Sequence, residues 1–225
     1  MEANKNFSKS KAYRIPIIIA IVLGTILFLP AGSLKYWEGW IFWFETLAMI
    51  MFFTAYFLRK DPKLLERRNQ IKEREPQPGI MRLLSLIYMV GYLVPGFDYR
   101  FHWSSVPVWI IAASFVFILL GYILIFSVFK ENSYASTIIQ VEKEQQVITT
   151  GPYAIVRHPM YTALLLISLF TPLALGSYWA LIAFSAVIPM NVYRIMKEER
   201  LLLRDLPGYK DYCSKTRYRL IPLIW

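Results

Sequence analysis

The sequence predicts an all-α integral membrane protein, a polytopic helical bundle with about six passes that include a short C-terminal hairpin. Three observations predict it. Of 225 residues, 56% are hydrophobic and only 18% are charged, against roughly 25% charged in soluble chains. The apolar residues gather into long runs separated by charged links. Of the 25 Lys and Arg residues, 23 fall in links that alternate crossings would bring to one side.

The first apolar run, Ile15 to Leu29, follows a polar arm with Lys5, Lys9, Lys11 and Arg14. Basic residues before a short apolar stretch also describe a secretory signal, with residues 31–33 as its cleavage region. Because further spans follow, an uncleaved first helix is the expectation. The second run, about Tyr36 to Leu58, carries Trp37, Trp40 and Trp43 near one end, where amphipathic rings suit the headgroup boundary. Glu45 lies inside this run and is expected to find a partner near the interface.

Arg59 to Arg82 is a charged connection in which Pro62, Pro76 and Pro78 prevent an unbroken helix. The third and fourth spans run from about Ile80 to Phe97 and from about Val106 to Phe129, joined by a link near Asp98, Arg100 and His102. These four spans make residues 1–129 an N-terminal membrane region. Residues 130–225 form a second region, with a polar stretch, an apolar hairpin from Tyr161 to Tyr193 and a charged tail. Pro172, Gly176 and Pro189 interrupt the hairpin. Each leg then has about 15 residues, or roughly 22 Å of helix, short for a hydrocarbon core of about 30 Å.

Lys and Arg number four in the N-terminal arm, eight in residues 59–82, three in 130–158 and eight from Arg194 onward. Only Lys35 and Arg100 fall on the other side. The positive-inside rule then places both termini in the cytoplasm. The net charge of +10 is a topology signal, and nucleic acid is not an expected partner, since so much apolar sequence has no role in holding it. One cysteine, Cys213, excludes an intramolecular disulfide and a cysteine-based metal cluster; no metal site is expected. Dinucleotide, P-loop and zinc-protease motifs are absent.

Chemistry-bearing residues concentrate in two places that bracket the hairpin, so its two legs return them to one side. The first runs from Thr149 to Tyr161. Gly151-Pro152 makes a turn, and Pro159 suits the first position of a helix. His158 then falls at the cap, where free N–H groups can hold a carboxylate or phosphate. The second runs from Arg194 to Tyr212. Arg194 and Glu198, four apart, share a helix face and can pair; Glu199 completes an acidic pair. Each cluster alone also reads as an ordinary helix end or surface helix.

Together they form G-P-Y-x-x-x-R-H-P-x-Y, a short hairpin, E-E, P-G-Y-x-x-Y and a closing Arg219-Leu220-Ile221-Pro222. This order resembles the isoprenylcysteine carboxyl methyltransferase family and its phospholipid methyltransferase relatives, over roughly a third of the chain from Gln145 to Pro222. The resemblance implies transfer of a methyl group from S-adenosylmethionine to a lipophilic acceptor. The cofactor site would be embedded in the membrane beneath a cytoplasmic C-terminal segment. It implies cofactor-binding roles for Gln145, Gln146, Val147, Ile148, Tyr153, His158, Pro159, Met160, Tyr161 and Glu198. It also implies that Arg194 stands by the acceptor and that Arg194, Glu198 and Glu199 serve the reaction.

The acceptor reads either as a carboxylate of an isoprenylcysteine-like molecule or as a lipid. Arg194 suits a carboxylate through a two-pronged pair, whereas an amine needs a base, for which Glu199 is the candidate. A sterol-reductase-like membrane enzyme using NADPH has a similar C-terminal layout, and the E-E pair favours the methyltransferase. A transporter or scaffold is disfavoured because ionisable residues gather at one interface and are scarce at mid-bilayer. Alkaline phosphatase fused to either terminus in a bacterial host is expected to stay inactive; an active terminal fusion reverses the orientation.

Overall fold

A computed structural model describes residues 9–69, 78–134 and 145–225, and among these the regular structure is helical, with no strand. Helix α1 (Lys9–Ala31) packs on α2 (Trp37–Lys60), and α3 (Pro62–Asn69) turns off the end of α2. Helices α4 (Pro78–Phe101) and α5 (Val108–Glu131) follow. A 3-10 turn, Gly151–Ala154, leads into α6 (Pro159–Ala174), α7 (Trp179–Ser185), α8 (Val187–Asp205) and α9 (Tyr209–Lys215). Lys5 and residues 75–77 of the Pro-rich break lie outside the described residues, and Pro78 is the first residue of α4.

Ala12–Ala31, Trp37–Lys60, Val108–Glu131 and the joined stretch Trp179–Asp205 are long and apolar enough to cross a bilayer. Their outward side chains are apolar, with Ile21 65%, Leu29 74% and Trp109 72% exposed. Water tolerates such a surface poorly, and lipid tails cover it without penalty. The chain is an integral membrane protein.

The hairpin differs from the expected pair of equal legs. Helix α6 has 16 residues, with Pro172 accommodated inside it. The second leg is longer, because α7 and α8 are separated only at Ala186 and together span 27 residues. Pro189 does not break this leg, since it sits in the first turn of α8, where no intrahelical N–H bond is lost. Gly176, with φ +71°, makes the bend between the legs, a conformation that glycine enters without strain.

Two sets of contacts hold the helices in register. At Gly96 of α4, an added Cβ would lie 2.8 Å from Leu27 O, 2.9 Å from Pro30 Cβ and 3.1 Å from Ala31 N. The α4 and α1 backbones therefore meet where no side chain fits, the usual device for close packing in lipid. At the end of α6 away from His158, the Tyr36 hydroxyl donates to Leu175 O at 2.7 Å. There the buried Asp98 accepts from Ser104 N at 2.7 Å, from the Ser104 hydroxyl at 2.6 Å and from the Ser177 hydroxyl. Asp98 lies in the last turn of α4 rather than in the link, and it pins that link to the α6–α7 bend. Glu45 departs from its expected role: among the described residues its buried Oε1 has no hydrogen-bond partner.

Replacing Gly96 by Val is expected to destabilise the protein by about 1–3 kcal/mol through overpacking against backbone. Gly79→Ala, where nothing lies within 4 Å, is expected to leave the thermal midpoint close to that of the parent.

Candidate active site

The site begins with the Gly151-Pro152 turn. Gly151 has φ +56°, and Thr150 Oγ1 donates to Glu131 Oε2 at 2.7 Å, which seats the turn on the end of α5. Tyr153 follows, partly buried; Asn132 Nδ2 donates to its hydroxyl at 2.8 Å, and its carbonyl accepts from the Tyr212 hydroxyl at 2.7 Å. Burial pushes the Tyr153 phenol up to about 12, against a smaller lowering by the Asn132 bond.

His158 caps α6, and Pro159 takes the first helical position. The chain just before the helix is held by the C-terminal segment: Arg157 N donates to Tyr218 O and His158 N to Arg219 O, both at 2.9 Å. One turn into α6, Thr162 Oγ1 donates to Leu220 O at 2.8 Å. Leu220 is buried beside Tyr161 and Ile195, so the same segment also closes on α8.

Helix α8 buries Val187, Asn191, Arg194, Ile195, Glu199 and Leu202 along one stripe, the spacing of a helix face. Arg194 and Glu198 meet at the Tyr161 hydroxyl, which donates to Glu198 Oε2 at 2.8 Å and accepts from Arg194 Nε at 3.4 Å. Arg194 also reaches the Met81 sulfur on α4.

These elements enclose a cleft of about 840 Å³, counting its open mouth. Gln145, Gln146, Val147 and Ile148, Tyr153 and all four residues of His158 to Tyr161 line it, with Arg194 and Glu198 on the α8 side. Glu199 is not in its wall. It is buried, 5% exposed, and its Oε1 meets His158 Nε2 and Arg157 Nη1, each at 3.2 Å, while Oε2 accepts from Arg219 Nε at 2.7 Å.

Several lining residues were not singled out from sequence, notably Asn132, Tyr134, Leu206, Tyr209 and Tyr212. The P-G-Y-x-x-Y pattern was the available signal for the two tyrosines: Gly208, with φ +82°, reverses the chain and α9 returns both rings to the cleft. Asn132 carried no signal. The Tyr209 hydroxyl is buried in the cleft wall without a partner among the described residues. Burial first, then the Glu199 charge, keeps its phenol raised, so it stays a donor. An orphaned buried hydroxyl is unfavourable, and a polar ligand in the cleft can satisfy it. No three His, Cys, Asp or Glu residues converge as a metal site among the described residues.

Residues 109–206 match the family model for phospholipid methyltransferase. The match covers less than half of the chain, and over it the chain is similar to that family. The matched region begins in α5 and ends after α8, so it contains Arg157, His158, Arg194 and both glutamates but stops short of Tyr209 and Arg219. Over 83 residues the chain is 30% identical to the nickel-cobalt-cadmium resistance protein NccN of Alcaligenes xylosoxydans xylosoxydans. That stretch covers 35% of this chain and 37% of the relative, so the chain spans little more than a third of the relative's length. The fold also resembles the eukaryotic intramembrane Ras methyltransferase, isoprenylcysteine carboxyl methyltransferase. The TM-score is 0.55 at 22% identity, over 92% of this chain and 73% of that one. The likeness establishes a shared membrane architecture.

Tyr212→Phe is expected to cost about 0.5–1.5 kcal/mol by freeing the Tyr153 carbonyl, read as a lower unfolding midpoint in detergent.

Proposed function

We propose that this protein is a membrane-embedded methyltransferase that uses S-adenosylmethionine and methylates a lipophilic acceptor. The observation that carries the reading is the single cleft where the start of α6 meets Arg194 and Glu198. The donor set in the cleft suits the cofactor. The first N–H groups of α6 have no intrahelical acceptor and can receive a carboxylate. The rings of Tyr153, Tyr209 and Tyr212, with the Glu198 carboxylate, offer a negative and polarisable wall to a cation. The unpartnered Tyr209 hydroxyl gives a further donor.

When bound, S-adenosylmethionine supplies a methyl group on a positively charged sulfur. Direct displacement asks the protein chiefly to align two reactants. The packed α6–α8 pair and the tail across it are suited to that. Arg194, held by Tyr161 and Met81, stands ready for an acidic acceptor. Glu199 was the candidate base for an amine, but both its oxygens are engaged by Arg157, His158 and Arg219. That arrangement supports a carboxylate acceptor, which needs no base. With both termini in the cytoplasm, as the charge count implies, the cleft opens on the same side.

Calorimetry on detergent-purified protein is expected to detect S-adenosylmethionine binding, weakened about tenfold or more by Glu198→Gln and severalfold by Tyr209→Phe. A folded sample that binds no S-adenosylmethionine overturns the proposal, and binding of NADPH in its place supports a reductase. Transfer of labelled methyl to lipid extract, followed by mild alkali, separates a labile methyl ester from a stable N-methyl product.

A further inference from the structure

The two glutamates of the acidic pair have separate surroundings. Successive residues on a helix point about 100° apart. Glu198 takes the Tyr161 hydroxyl and lines the cleft. Glu199 is buried behind it, between Arg157, Arg219 and His158. A carboxylate is tolerated in such a place because it is paired. The two guanidiniums provide the counter-charge, and the imidazole then enters as a hydrogen-bond donor.

That geometry selects one form of the ring. A carboxylate accepts and cannot donate, so the nitrogen facing Glu199 at 3.2 Å, Nε2, carries a proton. In the neutral ring the lone pair is therefore on Nδ1. Nδ1 is turned toward Glu198, whose Oε1 lies 4.0 Å away. The ring has little freedom to reorient, since its side chain is 3% exposed and its backbone N–H is bonded to Arg219 O. The opposite tautomer would aim an N–H at Glu198 and leave the ring nothing with which to accept on that side.

We propose that Glu199 is a positioning residue: by holding the His158 proton on Nε2, it presents the Nδ1 lone pair and the Glu198 carboxylate together as acceptors for an ammonium group. An ammonium has donors and no acceptor, and the amino-acid end of S-adenosylmethionine carries one. The inference rests on the reading of the cleft as an S-adenosylmethionine site. Because Arg219 reaches Glu199 from the C-terminal segment, the arrangement is complete only with that segment docked.

The chain has two histidines, His102 and His158, so 15N-histidine labelling yields two imidazole spin systems, told apart by a His102→Gln variant. At a pH where both rings are neutral, His158 is expected as the Nε2–H tautomer, with the Nδ1 resonance moving when S-adenosylmethionine is added. Glu199→Gln, whose amide can donate as well as accept, is expected to mix the tautomers and weaken S-adenosylmethionine binding about tenfold. Glu199→Asp is expected to restore part of both. A wild-type ring protonated on Nδ1 overturns the proposal, whether or not the variant folds. So does a folded Glu199→Gln protein whose cofactor affinity stays within about twofold of wild type. Folded wild-type protein that binds no S-adenosylmethionine overturns the cofactor reading as well, which separates the two failures.

Discussion

A lipid interior has nothing with which a polypeptide can pair its amides, so every spanning segment must satisfy its own backbone. Much of this structure follows from that constraint. The described chain is helical wherever it is regular, and helices approach closely where a glycine removes the side chain, as at Gly96 against α1. Polar groups that have no place in the apolar layer collect at the helix ends. At one end, Asp98 gathers Ser104 and Ser177. At the other, the start of α6 and the lower half of α8 gather the charged residues of the cleft.

The cleft exists because α6 is short and its neighbours are not. With 16 residues, α6 begins beside the point on α8 where Arg194, Glu198 and Glu199 follow one another. Tyr161 then reaches both Arg194 and Glu198 through a single hydroxyl. The C-terminal segment completes the enclosure by pairing its backbone with Arg157 and His158. Buried charge at this junction is matched almost group by group. Glu199 neutralises arginines from two separate segments, and among the described residues the Tyr209 hydroxyl and Arg157 Nε are the buried donors there without a hydrogen-bond partner. The region that matches the phospholipid methyltransferase model thus supplies α5 to α8, while residues beyond it supply part of the wall and the tie on Glu199.

The sequence by itself determined the membrane class, the helical character and the two clusters around the hairpin. Those features are periodic or compositional: apolar runs, placement of Lys and Arg, and turn residues such as Gly151-Pro152 and Pro159. They depend on neighbours along the chain and on the solvent, and both can be read from one dimension. The length of the second hairpin leg was less legible, because Pro189 reads as a break until it is known to fall in a first helical turn, where proline is harmless. Tertiary structure alone decided which of two adjacent glutamates faces the cleft. Glu198 and Glu199 are chemically the same, and their difference arises from Arg157 and Arg219, which are 62 residues apart in the numbering and converge on one carboxylate only when the chain has folded. The same holds for Asn132, whose place in the cleft depends on how the end of α5 packs and carries no mark in the local sequence.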